Sequence, residues 1–114
     1  MHETALMQNL LSTVSQAVEK HGVKRVNRVT LVIGSFSNVM PDALLFAFEA
    51  MTREGFMKGA ALEMKFQPAV ARCDVCGHEY LAESFPIVCP ACAVRDFSLI
   101  SGEEVYIESI DCEE

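Results

Sequence analysis

Four cysteines in two pairs, Cys73-Asp74-Val75-Cys76 and Cys89-Pro90-Ala91-Cys92, constrain this chain more than any other feature. Two Cys-x-x-Cys knuckles supply four thiolates for the corners of a tetrahedron, the arrangement a zinc ion accepts. The two-residue spacer lets one tight turn aim two sulfurs and some backbone N–H groups at one point. The twelve residues between the knuckles then need only run out and back as a hairpin. Two disulfides are the competing reading, but the start of the chain carries no secretory signal, and in a cytosolic protein the pattern points to metal. A thioredoxin-like redox motif needs one such pair between a strand and a helix, not two related pairs. Four thiolates leave no open position for water or substrate, so the ion is expected to be structural. The knuckles differ in one respect: Gly77 follows Cys76, whereas Ala93 follows Cys92. If the second knuckle takes the same left-handed turn, its alanine costs about 1 kcal/mol.

A chain of 114 residues makes one ordinary domain, or a small domain plus a metal-stapled module. A hydrophobic content of 51% suffices for a core. No apolar run approaches the ~20 residues needed to span a bilayer, which predicts a soluble, cytoplasmic protein with no membrane partner. The net charge of −7 is unevenly spread: residues 1–72 hold eight Lys/Arg against six Asp/Glu, while residues 73–114 hold Arg95 alone against ten acids. A balance of −9 around the knuckles argues against nucleic acid as a partner, because phosphate binding rests on Lys and Arg.

From Thr4 the pattern is helical, with Leu6, Leu10, Val14 and Ala17 interleaving Met7, Leu11 and Val18 into one apolar face. Lys20-His21-Gly22 closes this helix, with positive charge in the last turn and glycine at the left-handed cap, so His21 reads as a capping residue. Val23 to Ile33 reads as a strand burying Val29, Leu31 and Ile33, with Val26, Arg28, Thr30 and Val32 on its other face. Lys24, Arg25 and Arg28 form a small basic cluster at its start, either solvated surface or a dock for an acidic partner. Pro41 opens a second helix, with Asp42 complementing its N-terminus, Leu44, Ala47, Phe48 and Met51 at helical spacing, and Gly55 as the cap. Ala61 to Gln67 alternates as a strand with Leu62, Met64 and Phe66 inward, and Pro68 stops it. After the knuckles, Phe97 to Ile110, broken by Gly102, reads as a returning hairpin or a final strand. The expected fold is α+β: two helices packed on one face of a small mixed sheet, with a zinc ribbon inserted before the last strand. The expected boundaries are residues 1–68 with 104–114 for the main domain and 69–103 for the ribbon.

Met1-His2-Glu3 begins the chain. An imidazole beside a free α-amine, with deprotonatable amides between, can form a nitrogen-rich planar site of the kind that suits Ni(II) or Cu(II). On the residues alone, a surface histidine on a frayed terminus is the competing reading. Cys112 falls outside the paired pattern and reads as a partly buried or tail thiol, with an interchain link or a secondary metal contact as the minor options. His78 reads as a solvent-facing ribbon residue whose imidazole could sense pH or nickel.

Met1-His2-Glu3, Val29-x-Leu31-x-Ile33-Gly34, Pro41-x-x-Leu44-x-Phe46-x-Phe48 and the Cys73-x-x-Cys76…Cys89-Pro90-x-Cys92 ribbon occur in one order across nearly the whole chain. Together they resemble the HypA/HybF family of hydrogenase maturation nickel metallochaperones. The resemblance implies nickel held by the α-amine of Met1, the His2 imidazole and the backbone amides of His2 and Glu3. It implies zinc held by Cys73, Cys76, Cys89 and Cys92. The implied partners are a nickel-handling maturation GTPase and the large-subunit precursor of a [NiFe] hydrogenase, with urease also served in some relatives. A monomer or weak homodimer without catalysis of its own is expected. Where the second knuckle often carries glycine, this chain has Ala93.

Two other classes compete. A zinc-ribbon interaction or regulatory protein needs no nickel, but the acidic ribbon disfavours a nucleic-acid version of it. An enzyme needs a nucleophile or a carboxylate pair at catalytic spacing, and neither is present, the thiolates being committed to metal.

Overall fold

A computed structural model describes residues 3–55, 57–83 and 86–113. Its elements run α1 (Glu3–His21), β1 (Arg25–Gly34), α2 (Pro41–Met51), β2 (Ala61–Gln67), β3 (Val70–Cys73), β4 (Glu79–Leu81), β5 (Phe97–Ser101) and β6 (Val105–Glu113). Two three-stranded sheets result, one ordered β2-β1-β6 and the other β4-β3-β5. The class is α+β, as expected. The chain divides into two compact units, residues 1–32 with 39–65 and 106–114, and residues 33–38 with 66–105.

In the first unit α1 forms because apolar residues recur on one face, and Met7, Val14 and Val18 of that face are buried. Its end is the expected glycine cap. Gly22 sits at φ 66, and the Val23 amide reaches back to the Val18 carbonyl at 3.2 Å, the long closing bond of a Schellman cap. α1 packs against α2, which buries Leu44, Ala47 and Phe48. Pro41 occupies the first turn, where its missing N–H is no loss. The C-terminus of α2 departs from expectation: it ends at Met51 with Thr52 as cap. The buried Thr52 hydroxyl donates to the Phe48 carbonyl at 2.7 Å, and Gly55 (φ 87) belongs to the following turn.

β1 is the middle strand of its sheet and does not bury one face only. Val26, Thr30 and Val32 are buried along with Val29, Leu31 and Ile33, so the expectation of a single buried face is corrected: the other face is buried too, except at Arg28. β2 has the expected limits, but Phe66 is 60% exposed rather than inward.

In the second unit β3 is central and antiparallel to both neighbours, with Ala71 opposite Tyr80 on β4 and Leu99 on β5. Ala69, Ala71, Ala82 and Ile87 form its buried cluster, with Phe36, Tyr80, Phe97 and Leu99 packed around them. Gly34, Ser35 and Phe36 donate to the carbonyls of Glu104, Gln67 and Gly102 at 2.8–3.0 Å. Gly34 and Gly102 meet backbone to backbone, so a Cβ at Gly34 would collide with the Gly102 carbonyl. The hairpin reading of residues 97–110 gives way here: β5 pairs with β3, whereas β6 belongs to the other sheet as the final strand.

Candidate metal centre

The first knuckle turns immediately after β3. The Gly77 amide donates to the Cys73 carbonyl at 3.0 Å, and the second knuckle repeats the arrangement with the Ala93 amide and the Cys89 carbonyl at 2.8 Å. The equivalent residues share a left-handed backbone, Gly77 at φ 78 and Ala93 at φ 63. The second turn therefore keeps its geometry and accepts the steric cost of a Cβ. The Cys73 amide donates to the His78 carbonyl at 2.9 Å and the Cys89 amide to the Val94 carbonyl at 3.0 Å, closing each loop on itself.

These turns bring four sulfurs together. Cys73 Sγ lies 3.5 Å from Cys92 Sγ, and Cys76 Sγ lies 3.6 Å from Cys89 Sγ. All four lie within 4.8 Å of one another. A tetrahedron with zinc–sulfur bonds of 2.3 Å has edges of about 3.8 Å, so the cluster is nearly the right size for that ion. All five cysteines are free thiols, and no disulfide competes. Each knuckle contributes one buried sulfur residue, Cys73 or Cys89, and one more accessible, Cys76 or Cys92.

The Cys76 amide donates to Cys73 Sγ at 3.5 Å. That bond, with help from the Val75 amide, brings the Cys73 pKa down to about 7. The Cys92 thiol, donating toward Cys73, is pushed up to about 12. A bound dication would take all four as thiolates.

Tyr80 is a feature the sequence reading passed over. Its hydroxyl is buried and has no hydrogen-bond partner among the described residues. Burial raises its pKa, and the acidic groups around it, Cys89, Cys73, Cys92 and Asp74, raise it further as they ionise. His78 is exposed and stacks on the Tyr80 ring, centroids 6.3 Å apart and planes 11° from parallel.

Of the N-terminal site, Met1 and His2 lie outside the described residues. Glu3 is the first residue of α1, and its carboxylate accepts the Met40 amide at 3.2 Å. Met40 is the N-cap of α2 and has no side-chain cap of its own, so Glu3 supplies the negative charge there. His21 is exposed in the last turn of α1. Cys112 is half-buried on β6 and shares with His21 a largely apolar surface cleft of about 350 Å3.

The family model described as hydrogenase/urease nickel incorporation, metallochaperone, HypA, matches residues 1–112. The hydrogenase maturation factor HypA of Dehalococcoides mccartyi is 34% identical over 114 residues, covering 100% of this chain and 96% of that protein. The hydrogenase maturation factor HypA of Moorella thermoacetica is 36% identical over 108 residues, covering 95% and 96%. Among solved structures, the solution structure of the Ni metallochaperone HypA from Helicobacter pylori aligns with a TM-score of 0.73 at 23% identity, covering 99% of this chain and 98% of the other. A second HypA solution structure aligns at 0.75 and 23%, covering 98% and 96%. At that identity the structures speak for the fold, while the sequence matches reach further. The chain belongs to the HypA family of hydrogenase and urease nickel-incorporation metallochaperones.

Proposed function

We propose that this protein binds Ni(II) at its N-terminus and delivers it for maturation of a [NiFe] hydrogenase, with zinc held structurally by Cys73, Cys76, Cys89 and Cys92. The observation that carries the reading is the family match over residues 1–112, in a chain that opens Met1-His2-Glu3. The donors are the α-amine of Met1, the His2 imidazole and the backbone amides of His2 and Glu3. The Glu3 carboxylate is engaged with the Met40 amide, which agrees with a role for Glu3 through its backbone. Nitrogen donors in a plane favour nickel and a soft sulfur cage favours zinc, so one chain sorts the two ions by ligand chemistry. The unit containing the N-terminus carries the cargo, and the four-cysteine unit is a scaffold.

The protein performs no catalysis itself and works in the cytoplasm. It meets a nickel-handling GTPase and the hydrogenase large-subunit precursor, and a related transfer serves urease. No helix among the described residues is long and apolar enough to cross a membrane. Nickel affinity rises with pH, because the amine, with an ordinary pKa of about 7.7–8.0, and then the amides must lose protons.

The test is a calorimetric nickel titration of zinc-loaded, untagged protein beside His2→Ala and a form extended by residues before Met1. Wild type should take about one nickel per chain in a planar site, and both variants should lose it. Equal binding by all three contradicts the proposal and favours a zinc-ribbon interaction protein.

A further inference from the structure

Lys24, Arg25 and Lys58 converge on one cleft of about 390 Å3, which Gly55 and Gly59 also line among the described residues. Arg25 opens β1 and Lys24 immediately precedes it, while Lys58 lies in the turn before β2. That turn is built from two short closures, the Lys58 amide to the Gly55 carbonyl at 3.1 Å and the Ala60 amide to the Met57 carbonyl at 3.0 Å. The Arg25 guanidinium donates to the Lys58 carbonyl at 3.5 Å. It also lies over Gly59, where a Cβ would come within 3.3 Å of its terminal nitrogen. Glycine therefore gives the guanidinium its seat against the turn, and Arg25 is held with much of its donor fork still facing the cleft.

No carboxylate pairs with these three cations among the described residues. The ion pairs seen there belong to other cations, Arg28 with Glu63 at 3.3 Å and Lys65 with Glu108 at 2.7 Å. In a chain of net charge −7, three uncompensated cations around one concavity are an exception. With screening over about 8 Å at physiological ionic strength, a ligand entering the cleft feels the three cations that line it more strongly than charges beyond that range.

We propose that this cleft docks an acidic segment of a partner protein, one that presents at least two neighbouring carboxylates. The Arg25 fork takes one carboxylate through paired N–H donors, and Lys24 and Lys58 act as point charges on the next. Among the described residues the lining holds no aromatic side chain, and the preference for an acidic peptide rests on charge. Nucleic acid or an anionic membrane would bring many phosphates against a molecule whose total charge repels them. A short run of Asp or Glu asks for only the few cations available.

The test uses zinc-loaded full chain and a fluorescein-labelled hexaglutamate peptide, followed by anisotropy. Wild type should bind, with affinity falling about tenfold between low and moderate salt. Lys24→Ala with Lys58→Ala leaves Arg25 and its bond to the turn in place, and should weaken binding by at least about fivefold. Arg28→Ala with Lys65→Ala removes the same charge from the same unit outside the cleft, and should change binding less than about twofold. The proposal is overturned by absent or salt-independent binding to wild type, or by equal weakening in the two double variants. It is also overturned if inorganic tripolyphosphate displaces the peptide more effectively than unlabelled hexaglutamate does, because the cleft is then a free-phosphate site.

Discussion

Ala93 carries the left-handed turn of the second knuckle at φ 63, where its counterpart Gly77 sits at φ 78 without a Cβ. Ala93→Gly should stabilise the zinc-loaded protein by about 1 kcal/mol, read as a higher denaturation midpoint, and an unchanged or lower midpoint contradicts this strain. Both the cost and its position were legible in the sequence, because the two knuckles can be laid over each other residue by residue. Tyr80 was not legible, since alternation along β4 gives no sign that a hydroxyl will be buried without an acceptor. Tyr80→Phe removes that unsatisfied group and should leave the melting temperature unchanged or raise it; a clear fall would mean that the hydroxyl has found a partner. The thiols supply a pH signature. Metal uptake displaces every remaining thiol proton, and Cys73 is already largely thiolate above about 7. Calorimetry of zinc uptake in buffers of different ionisation enthalpy should therefore report about one proton more released at pH 6 than at pH 8. Equal release at both pH values contradicts a lowered Cys73.

Helix starts and stops were readable where a local device makes them. The Gly22 cap of α1 and Pro41 in the first turn of α2 are such devices. The end of α2 was misread because Thr52 caps it through a hydroxyl bond back to Phe48, while the glycine that looked like a cap serves a later turn. The pairing of residues 34–36 with 67, 102 and 104 has no sequence signature, for it joins backbone groups whose side chains are incidental. Gly34 nevertheless has a testable role. Its missing Cβ makes room for the Gly102 carbonyl, whereas open space surrounds Gly22. Gly34→Ala should cost about 2–3 kcal/mol, the range of an overpacked site, and Gly22→Ala about 1 kcal/mol, the strain of the left-handed backbone alone. Urea midpoints in the reverse order would contradict the close approach. The split of β5 and β6 into different sheets also escaped the sequence, because two apolar runs around a glycine look the same as a hairpin whichever strands they join.

At the scale of the whole molecule, two kinds of stabilisation operate in one chain. The first unit buries large side chains, among them Phe48, Met7, Leu31 and Leu44. Among the described residues the fully buried cluster of the second is three alanines and one isoleucine, with Phe36, Tyr80, Phe97 and Leu99 only partly buried around it. A metal bound by the four thiolates would add to that core, as in small metal-stapled domains generally. Removal of zinc by a chelator should therefore abolish amide protection across residues 66–105 while the helical circular dichroism of α1 and α2 persists. Simultaneous loss of both, or of neither, contradicts the scaffold role. The cysteine spacing made the four-sulfur cluster readable from sequence, whereas at Met1 and His2 the residues left two readings open and the family resemblance favoured nickel. The most direct test of the account is X-ray absorption at the nickel and zinc edges of one doubly loaded sample. Nickel should have nitrogen neighbours in a planar arrangement and no sulfur, and zinc four sulfurs at about 2.3 Å. Sulfur around nickel, or fewer than four sulfurs around zinc, would contradict it.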